Sequence, residues 1–125
     1  MFNFTGEKPN NLGVKDGKLA ACPGTPNCVS SQSRGGKEKI APLPAVSIAE
    51  IKSVVEGMER TTIIEETENY LYAEFKSKLM GFVDDVEFYK DAAANAVHVR
   101  SASRLGQSDA VVKRTRVEEI RSKLK

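Results

Sequence analysis

The chain has 125 residues, 40% of them hydrophobic and 29% charged, a length that builds one core and leaves no room for two full-size domains. Its net charge of +2 conceals an uneven distribution: residues 1–49 carry six cations and three anions, residues 50–97 five and eleven, and residues 98–125 eight and three. No apolar run approaches the roughly 18–20 residues of a membrane span, and the start MFNFTGEKPNN lacks the basic-then-apolar order of a secretory signal, so a cytoplasmic protein with no membrane span is expected.

All five prolines and six of the nine glycines fall within residues 1–45, a density that excludes long helices and central strands there. Leu12, Val14, Leu19, Val29, Ile40 and Leu43 supply apolar points, so this third reads as a loop-rich wrap draped over residues 46–125. Ser47-Ile48-Ala49-Glu50 then has the form in which serine and glutamate satisfy free amides of a first helical turn. Ile48, Ile51, Val54, Val55 and Met58 follow as one apolar stripe, with Glu50, Lys52 and Glu56 on the wet side. From there the pattern has period two over residues 61–66, 70–77, 82–89 and 97–102, joined by links of hairpin length. Leu71, Ala73 and Phe75 alternate against Tyr72, Glu74 and Lys76, and Val97 and Val99 against His98 and Arg100, which predicts one buried face and one polar face. From about Asp109, Val112, Val117, Ile120 and Leu124 recur near helical spacing, with Ser108 or Asp109 as the cap and Arg121, Lys123 and Lys125 at the carboxyl end. This order predicts a single-domain α+β fold over residues 1–125: an antiparallel four- to five-stranded sheet, the fifth strand near Ile40, with two helices packed on one face and a proline- and glycine-rich N-terminal wrap.

Cys22 and Cys28 enclose a stiff loop with two prolines. Zinc and iron–sulfur sites usually need four ligands, and His98 is the only other soft candidate, so no metal site and no cofactor is expected. Two reduced thiols in a packed loop are the default without a secretory signal; a structural disulfide in an oxidising compartment and a reversible redox pair are the alternatives.

In Phe82-Val83-Asp84-Asp85-Val86-Glu87-Phe88, alternation places Asp84 in a row with Phe82, Val86 and Phe88, and Asp85 and Glu87 on the other face. A carboxylate among apolar neighbours must find cations and donors or stay protonated. Asp84 is therefore a candidate acid or base, an oxygen ligand for a hard cation, or half of a buried salt bridge that fixes register. The expected cations are Arg100, on the polar face with Asp85 and Glu87, and Arg104, in the loop leading to the last helix. Around them Ser101, Ser103, Ser108, Asp109 and the free amides of the helix add hydrogen-bonding groups, the materials of an anion pocket. The competing outcome is that Asp84, Asp85 and Glu87 consume the arginines internally. The basic tail is interrupted by Glu118 and Glu119 and carries no interleaved aromatic residue, so it reads as a solvated helix face or a dock for an acidic surface, not a nucleic-acid reader. Phosphate-loop, dinucleotide and Gly-x-Ser-x-Gly patterns are absent, and nothing selects a serine to join the lone His98 in a triad.

Leu12-Gly13-Val14, Gly17-Lys18-Leu19, Cys22-Pro23, Pro26-Asn27-Cys28-Val29-Ser30-Ser31, the acidic stretch from Phe82 to Phe88, and Arg100-Ser101-Ala102-Ser103-Arg104-Leu105-Gly106 together resemble the uncharacterised family known as domain of unknown function 1499. The resemblance covers nearly the whole chain. It implies a bacterial, cyanobacterial or plastid setting in photosynthetic organisms, with plastid or photosynthetic-membrane association, and it marks the loop from Cys22 to Ser31 together with Asp84, Asp85, Glu87, Arg100, Ser101, Ser103, Arg104, Ser108 and Asp109. One departure stands out: where the family usually continues with a glycine and an asparagine, this chain has Ala110-Val111-Val112-Lys113. The function expected is a non-catalytic binding or accessory protein that engages a protein partner or an anionic small molecule through the acidic-strand and arginine-loop surface. The alternatives are a hydrolase or lyase acting on an anionic substrate with Asp84 as acid or base, and a thiol redox role for Cys22 and Cys28.

Overall fold

The computed structural model describes residues 6–24, 27–78, 81–105 and 110–124. In chain order the elements are β1 (Cys28–Ser30), α1 (Ile48–Glu56), β2 (Thr61–Glu66), β3 (Tyr70–Lys76), β4 (Val83–Asp91), β5 (Ala96–Ser103) and α2 (Ala110–Lys123). The strands form one antiparallel sheet in the order β1-β5-β4-β3-β2, and the fold is α+β.

The helix α1 starts where its cap predicts, with Ser47 Oγ accepting the Glu50 N–H at 3.1 Å. Beyond its other end the Thr61 hydroxyl shares its proton between the carbonyls of Val55 and Met58, at 3.0 and 2.9 Å, which ties the start of β2 to the end of the helix. Ile48, Ile51 and Val55 turn inward and meet Val117 and Ile120 of α2. Below them lie Leu71, Ala73 and Phe75 of β3, Val86 and Phe88 of β4, Val97 and Val99 of β5, and Val29 of β1. Both helices thus share one face of the sheet, and each fully buried aliphatic or aromatic side chain contributes about 1.5–3 kcal/mol.

Three expectations need correction. The fifth strand is β1, not a segment near Ile40, where the chain makes only a single parallel bridge between Ser30 and Lys39. Leu43 exchanges two backbone hydrogen bonds with Val97, at 2.8 and 3.1 Å, but Pro42 and Pro44 on either side have no N–H to extend that ladder. On α2, Val112 is 52% exposed and Lys113 is 1% exposed, so the inward stripe is Lys113, Val117, Ile120 and Leu124. Steps of four, three and four residues stay on one helical face, whereas the step of five from Val112 to Val117 does not. The predicted caps of this helix, Ser108 and Asp109, lie outside the described residues.

The third correction concerns the polar face of the sheet, which is also covered. Tyr72, Asp85, Glu87 and Arg100 are 1%, 1%, 0% and 4% exposed. Leu12, Val14 and Leu19 pack around Tyr70 and Tyr72 on this side. The covering segment doubles back at Lys15-Asp16-Gly17-Lys18, where two backbone hydrogen bonds of 2.9 and 3.0 Å close a two-residue hairpin. Asp16 and Gly17 both have positive φ, +54° and +75°, the conformation that suits aspartate and glycine in such a turn. Alternation of apolar and polar residues therefore marked the chemistry of both faces and the burial of the apolar one, but not the burial of the polar one.

Candidate functional site

The acidic strand β4 sends its carboxylates to opposite sides of the sheet, and each meets different partners. Asp84 faces the helices, 4% exposed, and its cations come from α2 rather than from Arg100 or Arg104. Lys113 Nζ lies 3.0 Å from Asp84 Oδ2, Arg116 pairs with the same oxygen, and Ser103 Oγ donates to Oδ1 at 2.7 Å. Burial alone raises the Asp84 pKa, but Arg116 and Lys113 outweigh it and hold the carboxyl below its ordinary value. The Arg116 guanidinium also sits over the Phe75 ring, 4.8 Å from its centroid. Lys113 and Arg116 are the residues that sequence reasoning missed. Their signal was a lysine in helical step with Val117 and Ile120, a position that buries its ammonium unless an anion waits beneath.

On the other face, register sets Glu74 directly opposite Asp85, a like-charge pair that would be destabilising by itself. Arg104 resolves it. Its Nε and Nη2 donate to both oxygens of Asp85 at 2.9 Å, and Nη2 also donates to Glu74 Oε2 at 2.6 Å. The Tyr72 hydroxyl donates to Asp85 Oδ1 and accepts from Arg104 at 3.3 Å. The Asp85 fork holds the Arg104 guanidinium firmly charged, and burial beside Asp85 pushes the Tyr72 phenol well up. Arg104, expected to recruit an anion, is thus consumed mainly by Asp85, the competing outcome.

Glu87 and Arg100 face each other across β4 and β5, yet their pairing is poor. Arg100 Nη1 is 3.8 Å from Glu87 Oε1, beyond hydrogen-bonding distance. Glu87 Oε2 instead accepts from the Tyr70 hydroxyl at 2.5 Å and from the Gly13 N–H at 2.7 Å. Glu87 Oε1 and Arg100 Nε are buried with no hydrogen-bond partner among the described residues, and Arg100 Nη2 reaches only the Ala21 carbonyl, at 3.4 Å. Burial pushes Glu87 up and Arg100 down from their ordinary values despite their mutual attraction.

Beside this pair opens a cleft of about 350 Å³ at the junction of β1, β5 and the N-terminal segment. Asp85, Arg100, Ser103 and Arg104 line it from the sheet, with Asn27 and Pro23 on one side and Glu7, Pro9 and Asn11 on the other. Three predicted site side chains, Asp85, Arg100 and Arg104, are therefore brought to one cavity, and Ser103 borders it although its Oγ is bound to Asp84 on the helix side. Three are not: Asp84 is under the helices, Glu87 is buried beneath Gly13, and Ser101 is turned into the helix side at 0% exposure, because period two sends neighbours of Arg100 to the opposite face. Ser108 and Asp109 lie outside the described residues.

Cys22 and Cys28 form a disulfide, with Cα atoms 5.7 Å apart, in place of the two reduced thiols expected. It ties the segment that covers the polar face to β1, next to Pro23 of the cleft. Both thiols are consumed, and among the described residues no group of His, Cys, Asp or Glu side chains has a metal-holding arrangement.

The lone histidine also finds its serine: Ser31 Oγ lies 3.1 Å from His98 Nδ1, and Asp91 Oδ2 lies 3.8 Å from Nε2. This trio is not a nucleophilic relay. Ser31 is 3% exposed and its Oγ accepts the Val99 N–H at 2.9 Å, while Asp91 is too distant to orient the ring by a hydrogen bond. Burial lowers the His98 pKa, and its contact with Ser31 ties the end of β1 to β5.

No helix among the described residues is long and apolar enough to cross a membrane. No curated protein and no solved structure matches the chain. The family described as Protein of unknown function (DUF1499) matches residues 18–124, a span that takes in the disulfide, Asp84, Asp85 and Glu87 of β4 and the lysine and arginines that meet them. On that match the chain belongs to the DUF1499 family.

Proposed function

We propose that the protein is a non-catalytic binding module that receives an anionic group in the cleft at Arg100. The observation that carries this reading is the state of Arg100 itself: a guanidinium 4% exposed, with Nε lacking a partner, its nearest carboxylate 3.8 Å away, and a cavity of about 350 Å³ alongside. A buried cation left so poorly paired is costly, and a carboxylate or phosphate supplies the missing acceptor. Arg104 and Asp85 form the rigid wall of that cleft, beside Asn27. A hydrolase or lyase centred on Asp84 draws no support from the geometry, since a carboxylate kept ionised by two cations and a hydroxyl is a poor base and no acid. The disulfide favours an oxidising compartment over the cytoplasm, where thiols are kept reduced.

Titration of the isotopically labelled protein with inorganic phosphate and with succinate, followed through backbone amide shifts, tests the proposal. Saturable shifts are expected at Asn27, Ala102 and Arg104, and Arg100→Gln is expected to weaken binding by about tenfold or more, the worth of a charged hydrogen bond. Equal affinity in Arg100→Gln, with its thermal melting retained, or no saturable shift with either anion, would remove the basis for the reading.

A further inference from the structure

A second concavity lies on the helix side of the sheet, built from residues 57–60 beyond α1, residues 75–78 at the end of β3, and the outer face of α2. Its volume is about 520 Å³. Met58, Phe75 and Val112 contribute apolar surface, and Val112, 52% exposed, is one of three large apolar side chains left in solvent among the described residues. The carboxylates along the groove are already taken: Glu59 by Arg60 at 2.9 Å and Glu119 by Lys123 at 3.2 Å. Arg116 is held by Asp84. Lys76 and Lys78 border the groove, are exposed and make no ion pair among the described residues, so they leave uncompensated positive charge at its edge.

We propose that this groove docks an acidic peptide segment of a partner protein, with an apolar side chain set between Met58 and Val112 and carboxylates on Lys76 and Lys78. Charge complementarity selects the acidic class. An open trough spread over three elements suits an extended segment better than an enclosed small molecule. The single exposed apolar side chain is too little for a lipid surface, and Phe75, 4% exposed beneath Arg116, offers no ring for stacking a base. The groove shares no lining residue with the Arg100 cleft, so the two proposals stand independently.

The test titrates the full-length labelled chain with a short synthetic peptide of glutamates flanking one phenylalanine, and with its lysine counterpart. Saturable amide shifts at Lys76, Lys78, Val112 and Thr115 are expected with the glutamate peptide alone, weakening as salt is raised. The double variant Lys76→Glu/Lys78→Glu is expected to lose about tenfold or more in affinity, and Val112→Ala about threefold, while Arg100→Gln is unaffected. All three groove positions are exposed, so folding should survive, and unchanged melting temperatures check it. Equal response to the lysine peptide, indifference to the double charge reversal, or no saturable shift with the glutamate peptide each overturns the proposal. So does binding to phosphatidylglycerol vesicles in the absence of any peptide response.

Discussion

At the scale of single residues, Asp84, Asp85 and Glu87 of the strand Val83–Asp91 sit in three electrostatic situations, and stability should report each separately. Asp84→Asn removes the anion beneath Lys113, whose side chain is 1% exposed and has nowhere to hydrate. The expected loss is about 3–5 kcal/mol in urea denaturation, the usual cost of stranding a buried charge. The double variant Asp84→Leu/Lys113→Met, which removes both ends, should recover most of that loss, since Arg116 can turn toward water. The pH dependences have opposite signs. Asp84 is held below its ordinary value of 3.8, so its contribution is present above that value and disappears as pH falls through the folded-state pKa. Glu87 is raised above 4.5, so the folded state retains a proton that the unfolded chain has lost, and its contribution declines as pH rises from 4.5. Glu87→Gln should therefore gain stability relative to wild type as pH climbs above 4.5, measured by chemical denaturation at a series of pH values. That Asp84 would need cations was legible from its apolar row. Which cations answered was not: Arg100 and Arg104 were nearest in sequence, but alternation had already sent Arg100 to the other face, and the partners lie on a helix about 30 residues away.

At the scale of elements, local chemistry predicted most boundaries because the signals were local. Ser47 caps α1 through a bond only three residues long, and the alternating stretches became β2 to β5 with ends displaced by one or two residues. β1 escaped prediction since three residues carry too little pattern to announce a strand; it exists because β5 offers an edge and the disulfide holds Cys28 there. Replacing Cys22 and Cys28 by serine should cost about 2 kcal/mol, the loop-closure term for a cross-link of separation six, and should loosen the segment that covers Arg100. Alkylation before and after reduction, read by mass, checks that the bond is present in the isolated protein.

At the scale of the whole molecule, the sheet lies between two covers, helices on one side and the N-terminal segment on the other. Removing residues 1–19 should cost at least about 3 kcal/mol, through lost burial of Leu19 and the Gly13 donor to Glu87, and should wet Tyr70 and Tyr72. Denaturation midpoints and the near-ultraviolet tyrosine signal would show both effects, and an unchanged signal would mean the segment only rests on the surface. The charge asymmetry seen in the composition resolves in the same frame. The acidic strand and its basic neighbours cancel in three places, at Asp84 with α2, at Asp85 with Arg104 and, incompletely, at Glu87 with Arg100, while Lys76 and Lys78 stay outside the account. Periodicity and capping, which act between residues a few positions apart, determined from the sequence alone the α+β class, the strands β2 to β5 and the face on which each carboxylate sits. Only the tertiary structure decided the partner of each charge, the burial of the polar sheet face, the disulfide and the two concavities. Those depend on segments distant in the chain meeting at ångström range, and a one-dimensional pattern carries no distance between them.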